Sequence, residues 1–367
     1  MSGATPWATS VTELLGIDVP VVLAPMGGGP CTPGLVAAVS NAGGLGFVAA
    51  GYLSADRIEA NINEVRRLTS APFGVNLFAG TPPVADPAAI ERAVAVIGPL
   101  RQELGLPARA AIPSYAQSLA EQLEAVVAVR PAAVSFTFGL LAPAAVNLLH
   151  AAGCIVIGTA TTVAEAVAVE SSGADGVCVQ GADAGAHRGT FLRNASDSLV
   201  GTLSLVPQVC DAVSIPVVAS GGVMDGRGLA AVLALGAGGA QLGTAFLRCP
   251  EAGTSKPYRE ALAAACDTST ALTSAVTGRM ARGIENRLMS ALAGLDVPPY
   301  PVMNAITAEL RQEAGKRGDA GLMSLWCGQG VALGTELPAA DLVRQIASEG
   351  ATILAKMVAL VAGQTPR

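Results

Sequence analysis

Residues 154–180 read CIVIGTATTVAEAVAVESSGADGVCVQ. Cys154–Thr159 is a short apolar run rich in β-branched residues, closed by a small polar one. Thr162–Ser171 is an Ala-rich stretch with helical patterning, and it stops at Ser172-Gly173 before a second apolar run, Gly176–Gln180. Near-continuous apolar runs are what parallel strands buried on both faces require. Glycine just past a helix supplies the left-handed residue that commonly ends one. The stretch therefore predicts strand, helix, strand.

The same phrase recurs along the chain. The other runs are Val21–Met26, Gly46–Ala50, Phe73–Phe78, Ala133–Phe138, Pro216–Ser220 and Gly239–Phe246, which makes eight in all. Helical patterns lie between them at Asp56–Arg67 (with Ser54 as its cap), Ser118–Val129 and Gly228–Leu235. Gly153 and Gly236 follow helices as Gly173 does. Eight alternating units point to an α/β fold, a (β/α)8 TIM barrel. The alternative is a doubly wound open sheet, which usually carries a Gly-x-Gly-x-x-Gly turn after its first strand. Here that position reads Ala24-Pro25-Met26-Gly27-Gly28-Gly29-Pro30, with the wrong glycine spacing and an intruding proline.

Two segments depart from the repeat. The third and fourth runs are separated by two helices, about Pro87–Leu104 and Ser114–Val129. After the eighth run, Arg248–Gly334 does not repeat the unit and reads as a mainly helical subdomain inserted over the barrel mouth. The expected organisation is a barrel over residues 1–250, the insertion over 251–334, and a closing segment over 335–367 built on an amphipathic helix, Leu337–Val361.

Composition narrows the function. The chain has 367 residues, with Lys+Arg 22 against Asp+Glu 28 and a net charge of −6. That disfavours nucleic acid and anionic membrane surfaces as partners, because both need clustered positive charge. At 51% hydrophobic and 14% charged the chain is not disordered. No apolar run approaches the ~20 residues of a membrane helix, and the N-terminus MSGATPWATSVTELLG lacks a signal-peptide layout. Seven cysteines without a Cys-x-x-Cys pair read as reduced thiols in a cytoplasmic protein, with no metal site expected.

In a barrel the chemistry sits at the C-terminal strand ends. Those ends present Pro25 and Met26, Asn76, Gln180 with Gly181, Asp183, Gly185 and His187, then Gly221 and Gly222, then Gln241, Gly243 and Thr244. Loops after the seventh and eighth strands form the usual phosphate site of such barrels, and Gly221-Gly222 and Gly243-Thr244 suit it. With Lys or Arg near only at Arg227 and Arg248, backbone N–H groups must do most of the binding, which favours a monophosphate. Gly-Gly as a plain tight turn is the simpler alternative. His150 reads as a helix-end residue. His187 stands in a glycine-rich loop at a strand end, where it can act as a general base, or only hydrogen-bond. Arg188 is either an anion contact or a loop brace. There is no Gly-x-Ser-x-Gly, no zinc-ligand cluster, and no lysine on a strand, the three lysines being Lys256, Lys316 and Lys356. What remains is a phosphate-bearing cofactor beside one histidine.

Several of these segments resemble the nitronate monooxygenases, flavin-dependent barrels. They are Ala24-Pro25-Met26, Thr32-Pro33 through Gly46, Phe73–Phe78, Gln180–Gly189, Ala219–Gly222, Gln241-Leu242-Gly243-Thr244-Ala245-Phe246, Ala281–Arg287 and Trp326–Gly330. The resemblance implies FMN as cofactor, with contacts from Pro25, Met26, Asn76, Gln180, Gly185, Gly221, Gly222, Gln241, Leu242, Gly243 and Thr244, and with His187 as catalytic base. It also implies an alkyl nitronate of the propionate 3-nitronate type, or a nitroalkane, and O2 as reactants, and carbonyl compounds and nitrite as products. A homodimer is a further partner expectation. Where the family usually has Glu-Ala-Gly-Gly-His-Arg-Gly, this chain has Asp183-Ala184-Gly185-Ala186-His187-Arg188-Gly189, so Ala186 replaces a glycine. Related flavin barrels, the NAD(P)H-dependent quinone and enoyl-acyl-carrier-protein reductases, share much of the pattern. A non-catalytic flavin- or phosphate-binding module is the third alternative. Arg279, Arg282 and Arg287 stand at helix-like spacings. They read either as a solvated face paired with Glu285 or as attractors of a small anionic nitronate.

Overall fold

The computed structural model describes residues 7–80, 84–110 and 117–363. Its strands are β1 (Val21–Leu23), β2 (Gly46–Ala49), β3 (Phe73–Phe78), β4 (Ala133–Thr137), β5 (Ile155–Ala160), β6 (Gly176–Gln180), β7 (Ala186–His187), β8 (Val217–Ser220), β9 (Gly239–Leu242), β10 (Thr270–Thr273) and β11 (Ala281–Ile284). Eight of them form one parallel sheet in the order β1-β9-β8-β6-β5-β4-β3-β2. The ring closes between its ends: Leu45 N–H donates to Val21 O (3.0 Å) and Leu23 N–H to Leu45 O (2.9 Å). This is the expected barrel, and each of the eight predicted runs supplies one of its strands. The strands are buried on both faces, as continuous Val, Ile and Ala runs require.

Two runs are shorter than their apolar residues suggest. The first stops at Leu23, before Pro25, and the eighth at Leu242, where Gly243 leads into a 3-10 turn over Thr244–Phe246. Both leave the ladder where the chain turns into the barrel mouth. The helix ends follow local chemistry. Thr162 accepts from Glu165 N–H, and Gly153, Gly173 and Gly236 have φ of 80°, 87° and 98°. Ser54 does stand at a helix start, but its hydroxyl makes no capping bond. His150 sits near a helix end with Nε2 2.9 Å from Asp175 Oδ2 at the surface. The helix expected from Ser114 is described over Leu119–Val129; Ser114, like residues 1–6, lies outside the described residues.

The segment after β9 contains helices Lys256–Ala264, Arg287–Ala291 and Val302–Arg317. It is mainly helical, as expected, and also contains the short strands β10 and β11. β11 pairs antiparallel with both β10 and β7, so the His187 loop and the insertion share a three-stranded sheet. Helix Pro87–Glu103, from the β3–β4 connection, packs into the insertion rather than only onto the barrel. Ala93, Ile97 and Leu104 join Met303, Ile306 and Leu310 in one apolar cluster, and Arg101 Nη2 meets Glu309 at 2.6 Å. Helix Ala339–Val361 closes the chain against helix Gly226–Ala234, where Gly226 leaves no room for a side chain beside Gly350 N. No described helix is long and apolar enough to cross a membrane.

Candidate active site at the barrel mouth

Strand order decides which predicted residues meet. β1, β9, β8 and β6 are neighbours, so Pro25 and Met26, Gln241 to Thr244, Gly221 and Gly222, and Gln180 lie along one arc of the mouth. Asn76 stands on β3, on the other side of the ring. Gly221 and Gly222 take φ of 115° and 73°, conformations that disfavour any side chain. Among the described residues the N–H groups of Gly222, Gly243 and Thr244 have no protein acceptor. Three free amides on adjacent strand ends, with the Thr244 hydroxyl beside them, fit a phosphate monoester. Thr244 Oγ1 accepts from Gly328 N–H (2.9 Å), which leaves its own hydrogen for a ligand. The Leu242 side chain belongs to the core, so only its backbone faces the site. Asn76 is buried and its Nδ2 donates to Ser135 Oγ (2.9 Å), while its Oδ1 has no partner among the described residues. Gly185 faces another part of the chain: a side chain there would meet Cys327 C and Gly328 N at about 2.5 Å.

The loop that carries His187 is braced by side chains at several of its backbone groups. Gln180 Nε2 donates to His187 O (3.0 Å) and its Oε1 accepts from Gly189 N–H (2.8 Å). Arg188 is the brace of the two readings: buried, it donates to Gly181 O (2.6 Å), Gln180 O and Ser198 O (both 3.0 Å). Arg279 donates to Arg188 O (2.9 Å) and Thr190 O. The buried Glu165 carboxylate accepts from Phe191 N–H (2.6 Å) and Leu192 N–H (2.9 Å), and from both Thr161 donors. Ala186 is held at φ 60° where it pairs with Arg282 of β11. A left-handed alanine costs roughly 1–2 kcal/mol, so the glycine replaced here leaves strain next to His187.

The imidazole has one protein partner on its ring nitrogens among the described residues. His187 Nε2 lies 2.9 Å from Thr277 Oγ1. That hydroxyl also lies 3.1 Å from Arg279 O; with its hydrogen on this carbonyl, Nε2 is the donor and Nδ1 keeps its lone pair. Burial, then Arg279, then Arg311 push the His187 pKa down to about 3. The ring is walled by Phe138, Tyr300 and Trp326, with centroids 6.1, 5.2 and 5.9 Å away. Phe78 packs on Phe138 at 4.7 Å, and Tyr300 donates to Tyr52 Oη at 3.0 Å.

None of these aromatic residues was found by sequence reasoning. The available signal was scarcity: aromatics are 4% of the chain, yet Tyr52, Phe78 and Phe138 stand at or just past three consecutive strand ends. The three spaced arginines are not one helical face. Arg279 is in a turn, Arg282 is on β11, and Arg287 pairs with Glu103 (2.6 Å) and Asp319 (3.2 Å), not with Glu285.

Comparison with known proteins identifies the family. The nitronate monooxygenase family model matches residues 8–349. A nitronate monooxygenase of Pseudomonas aeruginosa is 45% identical over 344 residues, spanning 92% of this chain and 98% of that one. A probable nitronate monooxygenase of Staphylococcus saprophyticus is 41% identical over 351 residues, spanning 95% and 99%. The crystal structure of a nitroalkane oxidase from Streptomyces ansochromogenes superposes with a TM-score of 0.89 at 40% identity, covering 95% of this chain and 100% of that one. FabK from Thermotoga maritima gives 0.76 at 28% identity, covering 96% and 99%. The chain belongs to the nitronate monooxygenase family of FMN-dependent oxidoreductases.

Proposed function

We propose that this protein uses FMN and O2 to oxidise alkyl nitronates to carbonyl compounds, with release of nitrite, and that His187 is its catalytic base. The observation that carries the reading is the placement of His187, an imidazole with a free Nδ1 lone pair in the same mouth as the unpartnered amides of Gly222, Gly243 and Thr244. The turn Gly221-Gly222 and the pair Gly243-Thr244 would hold the FMN phosphate through backbone N–H groups. Asn76, Gln180 and Gln241 would hold the polar edge of the ring system, flanked by Pro25, Met26 and the Leu242 backbone, with Gly185 keeping the His187 loop close. Bound FMN supplies the redox chemistry, accepting electrons from the nitronate and delivering them to O2.

The chain's own contribution is positioning and proton handling. A neutral nitroalkane gives its α-proton to Nδ1 of His187, while Thr277 keeps Nε2–H in place. A preformed nitronate needs no such transfer. Phe138, Tyr300 and Trp326 give the half-buried imidazole an apolar wall, with Phe78 packed behind Phe138, and so limit the water around it. In this reading residues 1–250 are the cofactor barrel, 251–334 its cover and 335–367 the closing segment, and the protein works in the cytoplasm as a homodimer.

The test is direct. Heating the purified protein should release FMN, identified by chromatography and mass, and the holoenzyme should form nitrite from ethyl nitronate in air. Release of FAD, absence of flavin, or absence of nitrite would overturn the reading.

A further inference from the structure

Arg279 and Arg311 are cations inside the site without a counter-ion. Neither makes an ion pair among the described residues. Arg311 is held by neutral groups only: Asn304 Oδ1 (2.7 Å), Asn304 O (2.8 Å), Ser324 Oγ (2.9 Å) and Thr307 Oγ1 (3.1 Å). Arg279 uses Nε and Nη2 on the carbonyls of Arg188 and Thr190. Its Cζ lies 4.0 Å above the Phe138 ring, whose centroid is 6.1 Å from that of His187 and 5.6 Å from that of Tyr300. Among the described residues Nη1 makes no hydrogen bond. The buried acid whose charge reaches Arg279, Glu165, is saturated by four donors from Thr161, Phe191 and Leu192.

Both guanidinium groups are half-buried; a partly desolvated cation without a partner is costly, and desolvation holds both down at about 10. Hydrogen bonds to neutral carbonyls and hydroxyls ease that cost without cancelling the charge. An anionic ligand would cancel it, and a guanidinium offers such a ligand a charge-assisted bond.

We propose that Arg279 is a specificity-determining residue that contacts an anionic oxygen of the substrate through Nη1, with Arg311 adding a second positive charge behind it. The site thereby selects anionic over neutral nitro compounds. This rests on the function proposed above, in which a nitronate is oxidised. The anionic oxygen can belong to the nitronate group itself or to a carboxylate elsewhere on the substrate.

The experiment compares holoenzyme variants on ethyl nitronate (one anionic group), propionate 3-nitronate (two) and nitroethane (none). Propionate binding is followed separately by perturbation of the flavin absorbance. Arg279→Met should lower the preference for anionic over neutral substrates by at least tenfold, mostly through KM. Arg279→Lys, which keeps the charge, should recover a large part of it. If the carboxylate is the ligand, only propionate 3-nitronate and propionate weaken; if the nitronate group is, ethyl nitronate weakens as well. Should Arg279→Met not retain flavin, Arg279→Gln against Arg279→Lys and Arg311→Met give the same comparison. Equal losses on all three substrates, or an unchanged preference together with unchanged propionate binding, would overturn the assignment. A wild-type enzyme inert to every nitronate would sink the proposed function instead, and propionate binding would still report on Arg279.

Discussion

His187 and Thr277 are joined by a 2.9 Å hydrogen bond, and the Thr277 hydroxyl also reaches the Arg279 carbonyl at 3.1 Å. With the threonine hydrogen on that carbonyl, the imidazole is protonated on Nε2 and open on Nδ1 before any substrate arrives. The proposed general base would then be set in its working tautomer by a turn of the insertion, not by the barrel.

Removing that base should discriminate between substrates. His187→Ala is expected to leave flavin bound and to slow the oxidation of neutral nitroalkanes by about 10²- to 10⁴-fold, the usual range for losing a general base. Preformed nitronates should be slowed far less. Steady-state nitrite formation on nitroethane and ethyl nitronate measures both, and equal losses would show that His187 does not take the proton.

The pH dependence follows from the field around the ring. Burial, then Arg279, then Arg311 hold His187 at about 3, so it is neutral throughout the ordinary working range. The kcat/KM for nitroethane should show no rising limb near the usual histidine value of about 6.5. Stability carries the opposite face of the same shift. The unfolded chain takes up this proton below about 6.5, whereas the folded one waits until about 3. The contribution is thus complete above the higher value and is lost progressively as pH falls across that window. A pH–rate profile together with thermal melts between these limits checks both statements.

Ala186 gives a prediction on stability. Its φ of 60° is strained for alanine and free for glycine. Ala186→Gly removes roughly 1–2 kcal/mol of strain and loses about 0.5–1 kcal/mol to the entropy of the unfolded chain. The melting temperature should hold or rise, with flavin content unchanged. A clear fall would mean that the alanine methyl packs in a way that outweighs the strain.

The barrel was legible because burial on both faces of a parallel sheet leaves a local trace. FGVNLF, IVIGTA and GVCVQ are apolar in sequence because they are enclosed in space. The Gly221-Gly222 turn was legible for a similar reason, since both residues adopt φ values that favour glycine. The sheet of β7, β10 and β11 left no such trace. Its strands are two to four residues long, and Thr270–Thr273 is only half-buried. Its register comes from contacts between segments nearly 100 residues apart, such as Ala281 with His187. The wall around His187 is hidden likewise: Phe138, Tyr300 and Trp326 come from unrelated segments, and no period links them. The arginine spacing misled because Arg279 and Arg282 lie on a turn and a strand, where helical spacing has no meaning.

In the proposed reaction the electrons that reduce FMN come from a nitronate. A nicotinamide reductase has to hold a second dinucleotide with its pyrophosphate, and Arg279, Arg282 and Arg287 offer it little. Arg282 is tied to Ala182 O and Thr270 Oγ1 and Arg287 to Glu103 and Asp319, while Arg279 keeps one nitrogen, Nη1, enough for a single anionic oxygen. Anaerobic stopped-flow mixing of the holoenzyme with ethyl nitronate and, separately, with NADH and NADPH decides the matter through the visible absorbance of the oxidised flavin. The structure predicts rapid bleaching by the nitronate and bleaching at least a hundredfold slower by either nicotinamide. Bleaching by NADH or NADPH at rates equal to or above those of the nitronate would contradict the account and assign the chain to a reductase.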